Sequence, residues 1–388
     1  MDFDMTPARR EIVDAVNALC ARFDDRYWLT RDREGGFPED FYRAVADGGW
    51  LGIAMPEEYG GAGLGITEAA LLMQTIAETG GGMSAASSVH MNIFGLHPVV
   101  VFGTPEQKQR MLPPLIRGEV KACFAVTEPD AGLNTTKLTT KAVRDGKRYI
   151  ISGRKIWIST AQVADNMLIL ARTTPIDQVR KATGGLSLFY TKLDRSRIEV
   201  REIEKMGRKA VDSNELFIDG LEVPEEDRIG EEGNGFHYIL HGMNPERVLV
   251  GAEAVGIGRS ALFRAARYAR DRVVFGRPIG QNQGVQHPLA LCWAQLEAAR
   301  LMVYRAGALY DSGQPCGPEA NAAKLLAAQA AVDTCQTAQL THGGYGYAKE
   351  FHVERLLREA LLVRIAPVTP QLILSNIAEK VLGLPKSY

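Results

Sequence analysis

Glu246 stands in the stretch NPERVLVGAEAVG, between Pro245 and Arg247, with Glu253 seven residues on. A carboxylate in a dry pocket is the usual protein base for taking a proton from carbon, because burial raises its pKa toward that of an activated carbon acid. Pro245 is consistent with a helix beginning there, so Glu246 falls in a first turn and Glu253 shares its face. The plainer role of a glutamate at a helix start is to complement the helix dipole in solvent. Glu128, in CFAVTEPDAG, reads as structural, tied into its own loop. By contrast RIAPVTPQL, residues 364–372, contains no acid, histidine or cysteine. His90, His97, His241 and His342 are scattered without metal spacing and are read as non-catalytic. The five cysteines, Cys20, Cys123, Cys292, Cys316 and Cys335, are odd in number and lack a CxxC pair. Neither a zinc site nor a disulfide framework is expected, and the thiols fit a reducing cytosol.

The elements that must carry these groups fall into three regions. Residues 1–118 read as an N-terminal helical domain. Thr6 caps a helix that starts at Pro7 and repeats Ile12, Val16, Leu19 and Phe23 at helical spacing. Thr67 opens a helix that Gly80 stops, Thr104 to Gln107 is a capping box, and Pro113-Pro114 closes the region. Residues 119–231 read as a central antiparallel β-barrel domain: RYIISGRKIWIS, NMLILA, GLSLFY and ELFIDGLEV are strands, with turn signals at Asp145-Gly146 and Asp219-Gly220. Residues 232–388 return to long helical patterns, at 234–270, 286–311 and 318–341 with two shorter ones to Val381, as in a four-helix-bundle-like domain. The fold class is α+β and multidomain.

The totals narrow the partner. Of 388 residues 46% are hydrophobic and 23% charged, which is ordinary globular composition and enough for a large core. A net charge of -1 without runs of like charge leaves no electrostatic case for nucleic acid. No uninterrupted apolar run approaches the roughly 20 residues of a membrane span. MDFDMTPARR has no secretory or transit character. A small-molecule partner and a cytoplasmic location are expected.

Six stretches occur in a familiar order and spacing: MPEEYGGAGLG (55–65), CFAVTEPDAG (123–132), GRKIWIS (153–159), ELFIDGLEVP (215–224), RVVFGRPIGQNQGVQ (272–286) and HGGYGY (342–347). Through them the whole chain resembles the acyl-CoA dehydrogenase family. The resemblance implies FAD as cofactor and a homo-oligomer, expected to be a tetramer. It puts Phe124, Val126 and Thr127 at the isoalloxazine edge, and Trp157, Ile158 and Ser159 beside the ring, with Ser159 replacing a frequent threonine. Arg272, Phe275 and Gln283 would reach the nucleotide of a neighbouring subunit; Gly343, Gly344, Thr369 and Gln371 map onto further cofactor contacts. These residue types suit the task, since a flavin needs an apolar wall for one face and polar groups at its heteroatoms. An arginine fork matches pyrophosphate, and a glycine pair lets backbone approach closely. Each also has a plainer reading: a half-buried strand threonine, a core tryptophan, a turn. Two departures remove polar contacts. Leu340 stands where a glutamine is frequent, and Leu133 where a serine commonly touches substrate; Leu133, Asn244 and Arg247 are the expected substrate contacts.

In much of the family the base glutamate lies two residues before a threonine such as Thr369. That position here is Pro367, which takes no proton and offers no N–H to a thioester oxygen. Isovaleryl- and long-chain-type subgroups place the glutamate on the first long bundle helix, just before an arginine, and Glu246-Arg247 match that pattern. The resemblance therefore implies α,β-dehydrogenation of an acyl-CoA thioester. Glu246 removes the α-proton, the β-hydride goes to flavin N5, and the electrons pass to an electron-transfer flavoprotein. Two other readings stay open: a same-fold flavoenzyme with altered chemistry (monooxygenase, oxidase or desulfinase), and a non-catalytic flavin or acyl-CoA binder.

Overall fold

The computed structural model describes residues 5–387; the acidic opening of the sequence, residues 1–4, lies outside them. Seven helices come first: α1 (Pro7–Cys20), α2 (Asp25–Glu34), α3 (Glu39–Asp47), α4 (Ile66–Ile76), α5 (Gly82–Phe94), α6 (His97–Phe102) and α7 (Pro105–Ile116). Their ends follow local chemistry where the sequence shows it. The Thr6 hydroxyl accepts from the Arg9 N–H, and Thr104 and Gln107 close a reciprocal capping box. Helix α4 departs from expectation, because Thr67 is inside it and does not cap it with its own side chain. The Asp311 carboxylate does so from 244 residues away, accepting from the Ile66 N–H at 2.7 Å, the Thr67 N–H at 2.9 Å and the Thr67 hydroxyl at 2.5 Å. Any carboxylate that reaches a helix start satisfies its free N–H groups, whatever its place in sequence. Helix α7 also runs on through Pro113 and Pro114 before it ends.

The middle region supplies β1 (Ala122–Ala125), β2 (Lys141–Asp145), β3 (Arg148–Ser159), β4 (Asn166–Arg172), β5 (Leu186–Lys192), β6 (Ile198–Glu202), β7 (Ser213–Pro224) and β8 (Arg228–Ile229). They form one sheet in the order β6-β7-β3-β2-β4-β5-β8, with β1 also on β4. The sheet is not uniformly antiparallel: β1 runs parallel to β4 along its length and β2 meets β4 in parallel at one residue. Parallel neighbours need a long crossover, which the chain between β1 and β4 provides. Asp219-Gly220 is no turn either. Strand β7 continues through it, and Gly220, at φ 64°, absorbs a bulge where the register against β3 shifts. Tyr149, Ile151, Ile158, Ile169, Phe189 and Val223 fill the sheet's own core.

The last region holds α8 (Gly235–His241), α9 (Met243–Asp271), a hairpin of β9 (Val273–Val274) and β10 (Arg277–Pro278), α10 (Gln283–Asp311), α11 (Gly317–His342), α12 (Val353–Ile365) and α13 (Pro370–Lys380). The long helix expected from 234 is split at Gly242. Helix α9 is the hub: Val248, Ala252, Val255 and Ala261 share a core with α4, α5, α11 and α12. Two stretches, Ile66–Phe102 and Val353–Lys380, are long and apolar enough for a membrane span by length and composition. The first comprises α4 to α6, mostly inside the core, and the second is broken between α12 and α13.

Candidate active site

Strand β3 changes course just before its end. Its register against β7 shifts between Lys155 and Ile158, and Trp157 adopts φ 63°, as Thr160 does at φ 64°. Residues with large side chains seldom occupy that region, and such strain collects where surrounding structure holds it for a purpose. The bulge separates two neighbours: Ile158 turns into the sheet core at 2% exposure, while the Trp157 ring stands 59% exposed. A flat apolar wall is thereby held in the open.

A buried ion pair fixes the loop opposite. The Lys155 ammonium donates to the carbonyls of Val126 (3.0 Å) and Leu170 (2.8 Å) and to the Glu128 carboxylate (3.0 Å). Glu128 also accepts from the Thr139 and Thr140 N–H groups at 2.6 and 2.9 Å. Burial brings Lys155 down to about 8 despite Glu128. For Glu128 burial pushes upward, but Lys155 and the threonine hydrogen bonds outweigh it and leave the carboxyl at about 2. The Ile156 N–H then ties Thr127 to β3 through its carbonyl at 2.9 Å. Val126 and Thr127 are thus pinned to the strand that carries Trp157 and Ser159, and the Phe124 ring, 6.0 Å from that of Phe94, joins β1 to α5.

Helix α9 presents the second half. Met243, Asn244, Glu246 and Arg247 in its first turn are half-buried, and Val248 to Gly258 after them are buried. Helix α5 packs against α9 and is buried from Gly82 to Gly95 except at His90 and Met91. His90 and Met91 on α5 and Glu246 and Arg247 on α9 are thus the partly open positions where these two helices pack. The His90 Nδ1 lies 2.7 Å from the carboxylate of Glu253, which is 1% exposed. His90 is therefore paired, not isolated as its sequence context suggests. Burial pushes Glu246 up to about 6; His90 and Arg247 oppose the rise and Glu253 adds to it. Burial disfavours the His90 imidazolium, but the Glu253 charge and hydrogen bond prevail and its pKa rises. Arg247 donates to the Asn244 side-chain oxygen at 3.2 Å, and its buried Nε has no partner among the described residues.

Lys324, on α11, carries no sequence motif and only its burial singles it out. Its ammonium donates to the Val368 carbonyl at 2.7 Å and the Arg364 carbonyl at 3.4 Å, holding the Pro367 segment against the bundle. Burial, then the charges of Arg247 and Arg364, lower it to about 8. Thr369 caps α13, accepting from the Leu372 N–H, and Gln371, two residues on, is exposed. Leu133 is 60% exposed.

Arg272, Phe275, Gln283, Gly343 and Gly344 form a separate group. Glu246 and Arg272 are 26 residues apart along α9, about 39 Å at 1.5 Å per residue. The Arg272 guanidinium covers the Tyr345 ring at 5.6 Å, which puts the end of α11 beside it. Phe275 is fully exposed at φ 52° on the hairpin, and a Cβ on Gly343 or Gly344 would meet nothing within 4 Å. One chain does not bring this group to Glu246.

The fold belongs to a known class. Models of the acyl-CoA dehydrogenase N-terminal, middle and C-terminal domains match residues 6–119, 123–221 and 233–382. The chain belongs to the acyl-CoA dehydrogenase family, flavoprotein oxidoreductases acting on CH–CH groups. It is 36% identical over 387 residues to acyl-CoA dehydrogenase FadE12 of Mycobacterium tuberculosis, covering 98% of this chain and 97% of that one. It is 33% identical over 341 residues to the caffeyl-CoA reductase-Etf complex subunit CarC of Acetobacterium woodii, covering 88% and 89%. The structure of an FAD complex of PigA superposes with TM-score 0.92 at 27% identity, covering 98% and 99%. FAD is the expected cofactor. The residues suit it: a strained, exposed indole, a threonine tied to the same strand, and a serine hydroxyl at that strand's end.

Proposed function

We propose that this chain dehydrogenates an acyl-CoA thioester with Glu246 as the base, the placement of the isovaleryl- and long-chain-type subgroups. The observation that carries the reading is the Glu246 carboxylate itself. It sits in the first turn of α9, is half-buried, forms no ion pair within 4 Å among the described residues, and is raised to about 6 by burial. A base with a pKa just below working pH is mostly ionised yet still draws a proton effectively. Glu246 accepts the α-proton on a carboxylate oxygen, and His90 and Arg247 nearby keep that oxygen ionised between turnovers. Trp157, Thr127 and Ser159 hold the ring of FAD, which when bound supplies the acceptor for the hydride leaving Cβ. The Lys324 clamp on Val368 fixes the segment where Pro367 replaces an acid.

Arg272, Phe275 and Gln283 serve the nucleotide of a neighbouring copy, which makes the active unit an oligomer, a tetramer by family analogy. An electron-transfer flavoprotein takes the electrons, a reading supported by the name of the CarC relative. Anaerobic mixing with a panel of acyl-CoAs tests the whole. Bleaching of the flavin supports dehydrogenation, product that forms only with oxygen supports altered chemistry on the same fold, and an unchanged spectrum reduces the chain to a binder.

A further inference from the structure

Arg208 lies between β6 and β7, inside the middle-domain match but outside the six stretches that carry the resemblance. Its backbone is at φ 56° and the residue is 9% exposed. One terminal nitrogen, Nη2, donates to the hydroxyls of Ser159 and Ser213, each at 3.0 Å. Its Nε is buried with no partner among the described residues, and Asp212, Glu253 and Glu359 act on it only beyond ion-pair distance. A buried guanidinium without a direct counter-charge costs stability, so a neighbourhood that keeps one in place does so for a reason other than packing. The segment is stapled from outside: Arg358 donates to the Met206 carbonyl at 2.8 Å and Lys209 to the Arg33 carbonyl at 2.6 Å.

A guanidinium only donates. Ser159 is therefore the acceptor in its pair with Arg208, and its own hydrogen must point elsewhere. No acceptor for that hydrogen is found among the described protein groups, and Ser159 is partly open at the end of β3, two residues from the exposed indole. We infer that Arg208 is a positioning residue for the cofactor: by occupying the lone-pair side of the Ser159 hydroxyl, it aims the hydroxyl hydrogen away from the sheet core at an acceptor atom of the ring that Trp157 flanks. The inference rests on the flavin reading of the site and adds to it a residue acting through Ser159.

The test is a double-mutant cycle on the FAD-loaded enzyme, with Ser159→Ala, Arg208→Met and the pair, read as the flavin midpoint potential and the visible spectrum. Ser159→Ala and Arg208→Met are each expected to shift the oxidised-to-reduced equilibrium about tenfold toward oxidised flavin, ~30 mV for a two-electron couple. In the Ser159→Ala background, Arg208→Met should change it less than threefold. An equal shift in both backgrounds means the arginine acts by its charge alone and overturns the inference, as does no shift in either. Should Arg208→Met fail to hold FAD, Arg208→Gln keeps a donor amide without the charge. It should stay within threefold of wild type, and a tenfold loss there also overturns the inference. A wild-type chain that takes up no FAD would bring down the site reading first, whereas normal uptake with a flat cycle removes the role of Arg208 alone.

Discussion

The His90 imidazole lies 2.7 Å from the Glu253 carboxylate, two turns beyond Glu246 on the same face of α9. Burial is what raises the carboxyl of Glu246, the proposed base; His90 from α5 opposes the rise and the Glu253 charge adds to it. Arg247 on α9, Lys324 on α11 and Arg208 between β6 and β7 complete the charges that face this pair and the base. Replacing His90 by glutamine removes the cation, so the acid limb of the flavin-reduction profile should move above pH 6. Stopped-flow reduction across pH 5 to 9 checks it, and an unmoved limb with full FAD content would remove His90 from the account.

Glu246→Gln keeps shape and removes basicity. Flavin content should be unchanged while anaerobic reduction by acyl-CoA slows by on the order of 10²–10⁴. Placing glutamate at position 367 in that variant should return part of the rate if the Pro367 segment, held against the bundle by Lys324, lies within reach of the same α-proton. Reduction as fast as wild type would favour the altered-chemistry reading.

The same residue lowers stability. The folded state raises the Glu246 carboxyl from 4.5 to about 6, so the native protein binds that proton more tightly than the unfolded chain. Its contribution is full below about pH 4.5 and is lost as pH rises through about 6. The loss is at most about 2 kcal/mol, since the group is part exposed. Urea unfolding should find Glu246→Gln more stable than wild type at pH 7.5 and equal to it near pH 4.5.

Elements with local signals were legible in the sequence, and long-range devices were not. The capping box at Thr104, the strands around Tyr149 and Leu188, and the long helices α10 and α11 all carry periodicity or end signals within a few residues. Near Thr67 only Glu68 announces the start of α4, accepting from the Gly65 N–H; the partner of the Ile66 and Thr67 N–H groups is Asp311, far away in sequence. Asp219-Gly220 has turn chemistry, yet only pairing with β3 decides between a turn and a bulge. At the site, Glu246 and Trp157 sit in recognisable stretches. Arg208 and Lys324 do not, because a charged residue becomes informative only once its burial is known. The proximity of His90 to Glu253 joins α5 to α9 across 163 residues, and helical spacing cannot express it.

Lys155 and Glu128 give a prediction on stability. Lys155→Met leaves Glu128 buried with its two backbone donors and no cation, and removal of one partner of a buried pair costs roughly 3–5 kcal/mol. Because the Thr127 loop hangs on the same ammonium, FAD affinity should fall as well. Adding Glu128→Gln should recover part of the stability without restoring the Val126 and Leu170 hydrogen bonds. A Lys155→Met protein that unfolds at the wild-type urea midpoint would contradict the role given to the pair.

Arg272, at the far end of α9, stands about 39 Å from Glu246, and Phe275 follows it on a hairpin, wholly exposed. A bare aromatic at a strained tip, beside an arginine that stacks on Tyr345 and has no carboxylate within 4 Å among the described residues, fits the surface of a second copy and its nucleotide better than solvent. Cofactor and assembly should then stabilise each other. Light scattering of the holo-protein should give a mass well above 42.5 kDa, and stripping FAD should shift it downward. Phe275→Asp puts a charge where the partner's apolar surface would lie. It should weaken assembly and FAD retention together, while Glu246 and the His90–Glu253 pair, toward the other end of α9, keep their fold. A monomer that retains full FAD would show that Arg272 and Phe275 do not serve a neighbour's cofactor.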